Sequence, residues 1–480
     1  METSMRKNTV YNTVKTISSV LYPLIAFVYV SRVLMPENLG KVNFGNSIIS
    51  YFSLIATLGI STYAIRECSK VRNDKEKLGE LASQLFSINL LSTVFSYIVL
   101  AVVLLFSSKL GNYRELICIQ STVILFATLG ADWLNTAMED FRFITLRTIF
   151  MQVVSLALIF LFVRKPEDYL VYALITVLAN SGANVVNIFY RRKFCSVRFT
   201  FRLDIKKHVV PIAFMLSTVI AQTIYVNSDM TILGLIKGDY EVGLYSTSVK
   251  IYNIINMVVA SIGVVVMPQI SESFQKSNFE KTNSLTNYAL NFIVALGIPA
   301  LICMNLFAEP ILEIVGGKEY LGAAASLHIL SLSLLFSFIG GWIGNTMMFP
   351  FGKEKICFVQ SAFSALVNIV LNLILIPKFG LNAAAFTTFI SELVGVLILV
   401  WFIDKRVKIY GSAKMMRAPL IGSLVGTLAV VCFKRFLGTS FVVSLAAMLL
   451  FAVLYVLTLV LFKDEFFFSF VHFKKQTKDL

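Results

Sequence analysis

Apolar runs of about 20 residues recur along nearly the whole of this 480-residue chain, and that recurrence leaves few folds open. A helix of that length, rising ~1.5 Å per residue, crosses the ~30 Å hydrocarbon core of a bilayer. Hydrophobic residues make up 57% of the chain and charged residues 14%, against roughly 25% charged in a soluble domain. Runs bounded by charge, Pro or Gly place spans near 8–33, 43–65, 81–106, 115–138, 147–163 and 169–190. Further spans fall near 209–234, 243–267, 287–307, 323–349, 357–376 and 382–403, with two more near 417–433 and 441–462. The fold expected is an all-α polytopic membrane protein of about 14 transmembrane helices. The first run is too long, and lacks the small-residue cleavage site, to be a signal peptide. It reads as a retained membrane helix.

The net charge of +15 is placed to orient helices. Basic residues cluster in the short polar gaps, and no contiguous basic domain exists for nucleic acid to bind. With the N-terminus inside, one set of alternate gaps holds 29 Lys and Arg and the other holds 11, with Lys15 and Lys250 inside spans. By the positive-inside rule both termini are cytoplasmic. The densest patch, 191–208 (RRKFCSVRFTFRLDIKKH), lies mid-chain. It divides an N-terminal lobe, 1–190, from a C-terminal lobe, 209–403, each of six spans. Residues 404–480 hold the last two helices and a cytoplasmic tail. Weak internal similarity points to duplication. Trp133-Leu134-Asn135-Thr136 is similar to Trp342-Ile343-Gly344-Asn345-Thr346, and Leu39-Gly40 to Val242-Gly243, at offsets of 209 and 203 residues. Six is even, so the two halves would share one orientation.

Several chemistries are absent from the pattern. There is no G-x-x-x-x-G-K-[ST] phosphate loop. No external gap exceeds roughly 16 residues, too short for the catalytic loop of a membrane polymerase or ligase. The six cysteines and His208, His328 and His472 are scattered, with no metal-ligand spacing and no catalytic constellation. No catalytic residue, metal site or cofactor is expected. A carrier without its own ATPase remains.

Polar side chains in the spans show which helix faces look inward, because lipid tolerates them poorly. The first span carries Asn8, Asn12, Lys15, Ser19 and Tyr22 on one face, and the sixth carries Thr176, Asn180, Asn184 and Asn187. The eighth has Ser246, Lys250 and Asn253, and the eleventh Asn368 and Asn372. Each stripe alone reads equally as polar glue between helices. Four stripes over both halves favour a hydrated central cavity. Lys15 fits that cavity or a snorkelling side chain. The short 235–242 connection would set Asp229 beside Lys250, as a structural pair or a gate. Glu392 sits near the middle of the twelfth span, and an intramembrane carboxylate is a functional candidate. Asp132 lies nearer the cytoplasmic end, within reach of water, and Arg32 at the external end of the first span. Pro23 removes a backbone donor and would kink that span, as a hinge or as packing geometry.

Several segments, in order, resemble one family. The segment 31–50 (SRVLMPENLGKVNFGNSIIS) is similar to the first-to-second helix junction of Wzx-type polysaccharide flippases. The block 132–147 (DWLNTAMEDFRFITLR) resembles their fourth-to-fifth junction, and 227–251 (NSDMTILGLIKGDYEVGLYSTSVKI) their seventh-to-eighth hairpin. MPQIS at 267–271, Gly316-Gly317-Lys318-Glu319-Tyr320 and 368–392 (NIVLNLILIPKFGLNAAAFTTFISE) follow in the same order. The last two helices show no match.

The resemblance implies the multidrug/oligosaccharidyl-lipid/polysaccharide exporter fold, with two six-helix lobes around a cavity plus two peripheral helices. It implies a flippase in the bacterial cytoplasmic membrane. The substrate implied is an undecaprenyl-diphosphate-linked oligosaccharide for O-antigen, capsule or exopolysaccharide, with membrane lipids, a glycan polymerase and chain-length machinery as partners. Arg32, Arg66, Glu139, Asp229 and Lys250 fall at polar positions inside the matching motifs. Lys15, Arg32 and Lys250 are expected to contact diphosphate or acidic sugars, with Asn12, Asn180, Asn184, Asn253, Asn368 and Asn372 on sugar hydroxyls. Asp229 and Glu392 are the carboxylates for any H⁺ or Na⁺ coupling. A lipid II-type flippase, a multidrug/cation antiporter, a non-transporting scaffold and a membrane glycan polymerase or ligase stay open as alternatives.

Overall fold

A computed structural model describes the backbone of residues 2–410, 412–438, 440–464 and 467. Within these, the side chains of residues 2–10, 12, 13, 17, 20, 205–207, 209, 214, 215, 218 and 412–414 are not described. The helices are α1 (Glu2–Thr57), α2 (Ile60–Lys70), α3 (Lys75–Phe106), α4 (Arg114–Gly130), α5 (Trp133–Ala137), α6 (Phe141–Phe162), α7 (Tyr169–Tyr190) and α8 (Ile205–Ile236). They continue as α9 (Asp239–Gln275), α10 (Phe279–Leu306), α11 (Ala324–Ile343), α12 (Glu354–Trp401), α13 (Ser412–Leu437) and α14 (Phe441–Leu461). Two compact units result, Met1–Gly243 and Leu244–Leu480.

Among the described residues, eleven helices are long and apolar enough to cross a membrane. Two of these are folded pairs. Straight, the 56 residues of α1 would run ~84 Å. The chain breaks at Met35, whose φ of 63° and ψ of 167° are not helical, just before Pro36. Neighbouring contacts show that it also reverses there. The first arm runs parallel to α6. Thr145 Oγ1 donates to the Tyr11 carbonyl (2.9 Å), Ser18 Oγ to Gln152, and Tyr29 Oη to the Val163 carbonyl (2.9 Å), each linking residues 134 apart. The second arm runs antiparallel to α3, with Ser96 Oγ on the Phe52 carbonyl (2.7 Å) and Asn89 Nδ2 on that of Ala56 (2.8 Å). α3 in turn opposes α4, through Thr93–Thr128 (2.7 Å) and Tyr97 to the Ser121 carbonyl (2.7 Å). Only a reversal at Met35 brings α6 back parallel to the first arm.

The second folded pair is α12, which turns at Gly380 (φ 57°). Ser364 Oγ bonds the Ser391 carbonyl (3.0 Å), and Thr387 Oγ1 bonds Asn372 Oδ1 (2.5 Å), across the two arms. Counting each pair twice, and adding the 17-residue α4, gives fourteen crossings.

The loops of the first unit gather alternately at two ends. At one end Arg72 meets Glu139 (2.5 Å) and Tyr190 Oη donates to Asp140 (2.7 Å). At the other, Lys109 reaches the Leu235 carbonyl and Tyr113 Oη donates to Asp239 (2.7 Å). In the second unit α13 and α14 pair with each other and lie on α10, where Tyr455 Oη bonds the Ala295 carbonyl (2.5 Å) and Phe451 packs with Phe307.

Each unit also straps an extended segment along one of its helices, α3 in the first and α10 in the second. Ser83 Oγ accepts from Arg198 N (3.1 Å) and Ser87 Oγ from Thr200 N (2.8 Å). Asn283 Oδ1 accepts from Lys408 N (3.0 Å) and Asn287 Oδ1 from Tyr410 N (2.9 Å), while Asn287 Nδ2 donates to the Lys408 carbonyl (2.8 Å). Both pairs are four residues apart, one helical turn, and both straps run in the direction of their helix. The second strap is pinned at its start by Asp404, whose carboxyl the Arg406 guanidinium holds down at about 2.

The two glycines matched by the repeat meet each other. A Cβ built on Gly40 would lie 1.8 Å from the Asp239 carbonyl oxygen, and one on Gly243 1.8 Å from that of Pro36. The contact is main chain against main chain. Gly40→Ala and Gly243→Ala should each lower the melting temperature of the detergent-solubilised protein, at an overpacking cost of about 1–3 kcal/mol. Gly111→Ala, with no atom within 4 Å of its Cβ, should leave the melting curve unmoved.

Candidate functional site

The first unit encloses a cavity of about 370 Å³ among α1, α2, α3, α4, α6 and α7. Its walls are built from the polar faces of three helices. The first arm of α1 brings Lys15, Ser19, Tyr22 and Pro23, at the spacing of one helical face. α6 brings Arg147, Thr148 and Gln152, held in register with α1 by the three bonds between residues 134 apart. α7 brings Asn180 and Asn184, and Asn89 arrives from α3.

The remaining wall is an irregular stretch of backbone. α4 ends at Ala131 in the left-handed region (φ 47°), which turns Asp132 and Trp133 to the cavity. The carbonyls freed there are taken up by side chains. Asn187 Nδ2 donates to the Gly130 carbonyl (2.7 Å) and Arg191 Nη1 to that of Leu129 (2.8 Å). Asn135 Nδ2 donates in turn to Asn187 Oδ1 (2.6 Å). Gly130 lets α7 approach, since a Cβ there would lie 2.6 Å from that of Asn184.

Three charged side chains line the space. Lys15 is half-buried, and Arg147, 7% exposed, forms an ion pair with Asp132. The cavity therefore carries one net positive charge. Arg147 Nη1 also donates to the Ala183 carbonyl (3.2 Å), and its guanidinium lies 5.2 Å from the Phe143 ring centroid. Arg147 Nε and Trp133 Nε1 are buried with no hydrogen-bond partner.

Of the residues singled out in the sequence, Lys15, Pro23, Asn180 and Asn184 come together here. Arg147, Asp132, Gln152 and Asn89 join them and were not anticipated as a group. The side chain of Asn12 lies outside the described residues. Arg32 is exposed near the Met35 turn, and Asp229 is buried on α8. Arg66 pairs with Glu67 (2.9 Å) on an exposed face of α2. In the second unit Lys250 is half-buried on α9, Asn253 is exposed, and Glu392 accepts from Tyr252 Oη (3.4 Å). Asn368 and Asn372, 1% and 0% exposed, form a ladder with Thr387 in the seam between the arms of α12, packed as polar glue. The repeated Trp-x-x-Asn-Thr region of the second unit adjoins a void of only about 10 Å³. There Trp342 Nε1 is satisfied by the Thr286 carbonyl (3.1 Å).

These features define a polytopic helical membrane protein with a polar, net-cationic chamber inside its first unit. The chain belongs to the polysaccharide biosynthesis protein family, whose model matches residues 5–274; a MatE model matches residues 211–374. It is 25% identical to the capsular polysaccharide biosynthesis protein CapF of Staphylococcus aureus, over 84% of this chain and all of that one. It is also 25% identical to a putative O-antigen transporter of Shigella dysenteriae, over 81% of this chain and 96% of that one. Its fold matches the lipid II flippase MurJ with a TM-score of 0.74 at 18% identity, covering 95% of this chain and 99% of MurJ. A multidrug-resistance MATE transporter matches with a TM-score of 0.62 at 14% identity, covering 82% and 97%.

The wet chamber can be tested by labelling. In a cysteine-free background, Asn180→Cys and Asn184→Cys should react with a hydrophilic maleimide in membranes, while Asn372→Cys should stay unmodified until the protein is denatured.

Proposed function

We propose that this protein is a flippase for undecaprenyl-diphosphate-linked oligosaccharide repeat units. It moves them across the cytoplasmic membrane for assembly of O-antigen, capsule or exopolysaccharide. The observation that carries this reading is the net-cationic, amide-lined cavity set among membrane-spanning helices of a polysaccharide biosynthesis family member. Fixed positive charge offsets the loss of water around a diphosphate entering a membrane interior. Asn, Gln and Ser side chains offer donors and acceptors to sugar hydroxyls, while the polyprenyl tail stays in lipid.

In this reading the protein makes and breaks no covalent bond, and translocation proceeds by rocking of two like-oriented halves around a loaded site. The boundary lies in the basic segment 191–208, both termini face the cytoplasm, and Pro23 serves as a hinge in the cavity wall. Arg32 and Lys250 supply further cationic contacts along the path. Asp229 and Glu392 are the carboxylates for H⁺ or Na⁺ coupling, and the glycan polymerase and chain-length machinery receive the product. A lipid II-type substrate is the second reading, favoured by the fold match to MurJ over 95% of the chain.

Deletion in the native host should accumulate one lipid-linked oligosaccharide on the cytoplasmic leaflet, and mass spectrometry of that lipid distinguishes a repeat unit from lipid II. Lys15→Glu, Arg32→Glu and Lys250→Glu should each abolish surface glycan while the protein still reaches the membrane. Normal glycan in all three would defeat the cationic-path assignment.

A further inference from the structure

We infer that Arg147 is the diphosphate contact of this cavity and that Asp132 is its built-in counter-ion, a carboxylate that the incoming diphosphate displaces. The inference rests on the lipid-diphosphate reading above and names the residue pair that carries it out.

A guanidinium has five N–H donors. Those of Arg147 reach two acceptors in the protein, the Asp132 carboxylate and the Ala183 carbonyl, and Nε has no partner. A buried ion pair that serves only stability is costly unless its remaining donors are satisfied. Here the pair stands in a cavity wall. The Arg147 side chain is 5% exposed and that of Asp132 39%, so the anion is the more accessible member. Guanidinium matches carboxylate and phosphate through the same paired hydrogen bonds. One anion can therefore replace the other without rebuilding the site.

A comparison within the molecule supports a ligand here. Trp133, beside Asp132, has its indole N–H buried and unpartnered at the cavity, whereas the repeat-related Trp342 donates to the Thr286 carbonyl beside a void of about 10 Å³. Of these two indoles, the unpartnered one is the one that faces the space. Lys15 supplies a second cation from the facing helix. A carrier must also let its cargo go, and sites that conduct bind firmly enough to admit yet weakly enough to release. A carboxylate waiting to reclaim Arg147 meets that need, because it lowers affinity and leaves no bare charge behind.

The test is isothermal titration of the purified full-length protein with farnesyl diphosphate, farnesyl monophosphate and farnesol. Wild type should prefer the diphosphate. Asp132→Asn should tighten farnesyl diphosphate binding roughly fivefold, the displacement cost of a partly exposed ion pair. Arg147→Gln should weaken it about tenfold or more. The double variant strands neither charge, so it tests the idea even if Arg147→Gln alone misfolds; it should bind as weakly as a protein lacking Arg147. Wild-type affinity in the double variant, or unchanged or weaker binding in Asp132→Asn, would show the pair to be structural and overturn the inference alone. Wild type that cannot tell farnesyl diphosphate from farnesol would overturn the lipid-diphosphate reading, and this inference with it.

Discussion

Hydrocarbon offers no hydrogen bonds, so every main-chain amide and carbonyl at membrane depth must find a partner inside the protein. That constraint makes the chain helical and turns each departure from a helix into a position that needs explaining. Three departures stand out. Two are the reversals at Met35 and Gly380, where a span ends and the chain turns back. The third is the stretch from Ala131 to Glu139, left-handed at both ends, where the Gly130 and Leu129 carbonyls are met by Asn187 and Arg191. Irregular backbone is tolerated at depth when protein or a wet cavity surrounds it; here Asp132 and Trp133 line the chamber and Asn135 is buried.

Two local devices occur in both units. Each has an extended segment strapped along a helix, α3 in one and α10 in the other, and each has a Trp shortly before an Asn-Thr pair. One Trp region opens beside a polar chamber with an ion pair in its wall. In the other region the indole of Trp342 bonds the main chain, and its own helix passes into a π-helical turn over Gly344–Met348.

Crossings were legible because they are written in hydropathy and in loop alternation, which survive with any apolar residue. The site was legible only in part. Lys15, Asn180 and Asn184 announce themselves as polar residues at helical spacing within apolar runs. Arg147 does not, because it stands at the edge of a short span and reads as a topology charge. Only the left-handed turn at Ala131, which periodicity does not encode, brings Asp132 to it. Asn368 and Asn372 show the converse. Their spacing is that of a cavity face, yet the hairpin at Gly380 folds Thr387 onto them and closes the seam. The straps were silent for another reason: Ser in one copy and Asn in the other do the same work, so no residue match betrays it.

The seat between residues 36–40 and 239–243 has a consequence of its own. Two peptide backbones rest on each other there with no side chain at the point of closest approach. Such a joint has no rotamers to sort and no side-chain hydroxyl or amide to reorient. Its fit is set by main-chain shape, as a ground-glass stopper fits its neck.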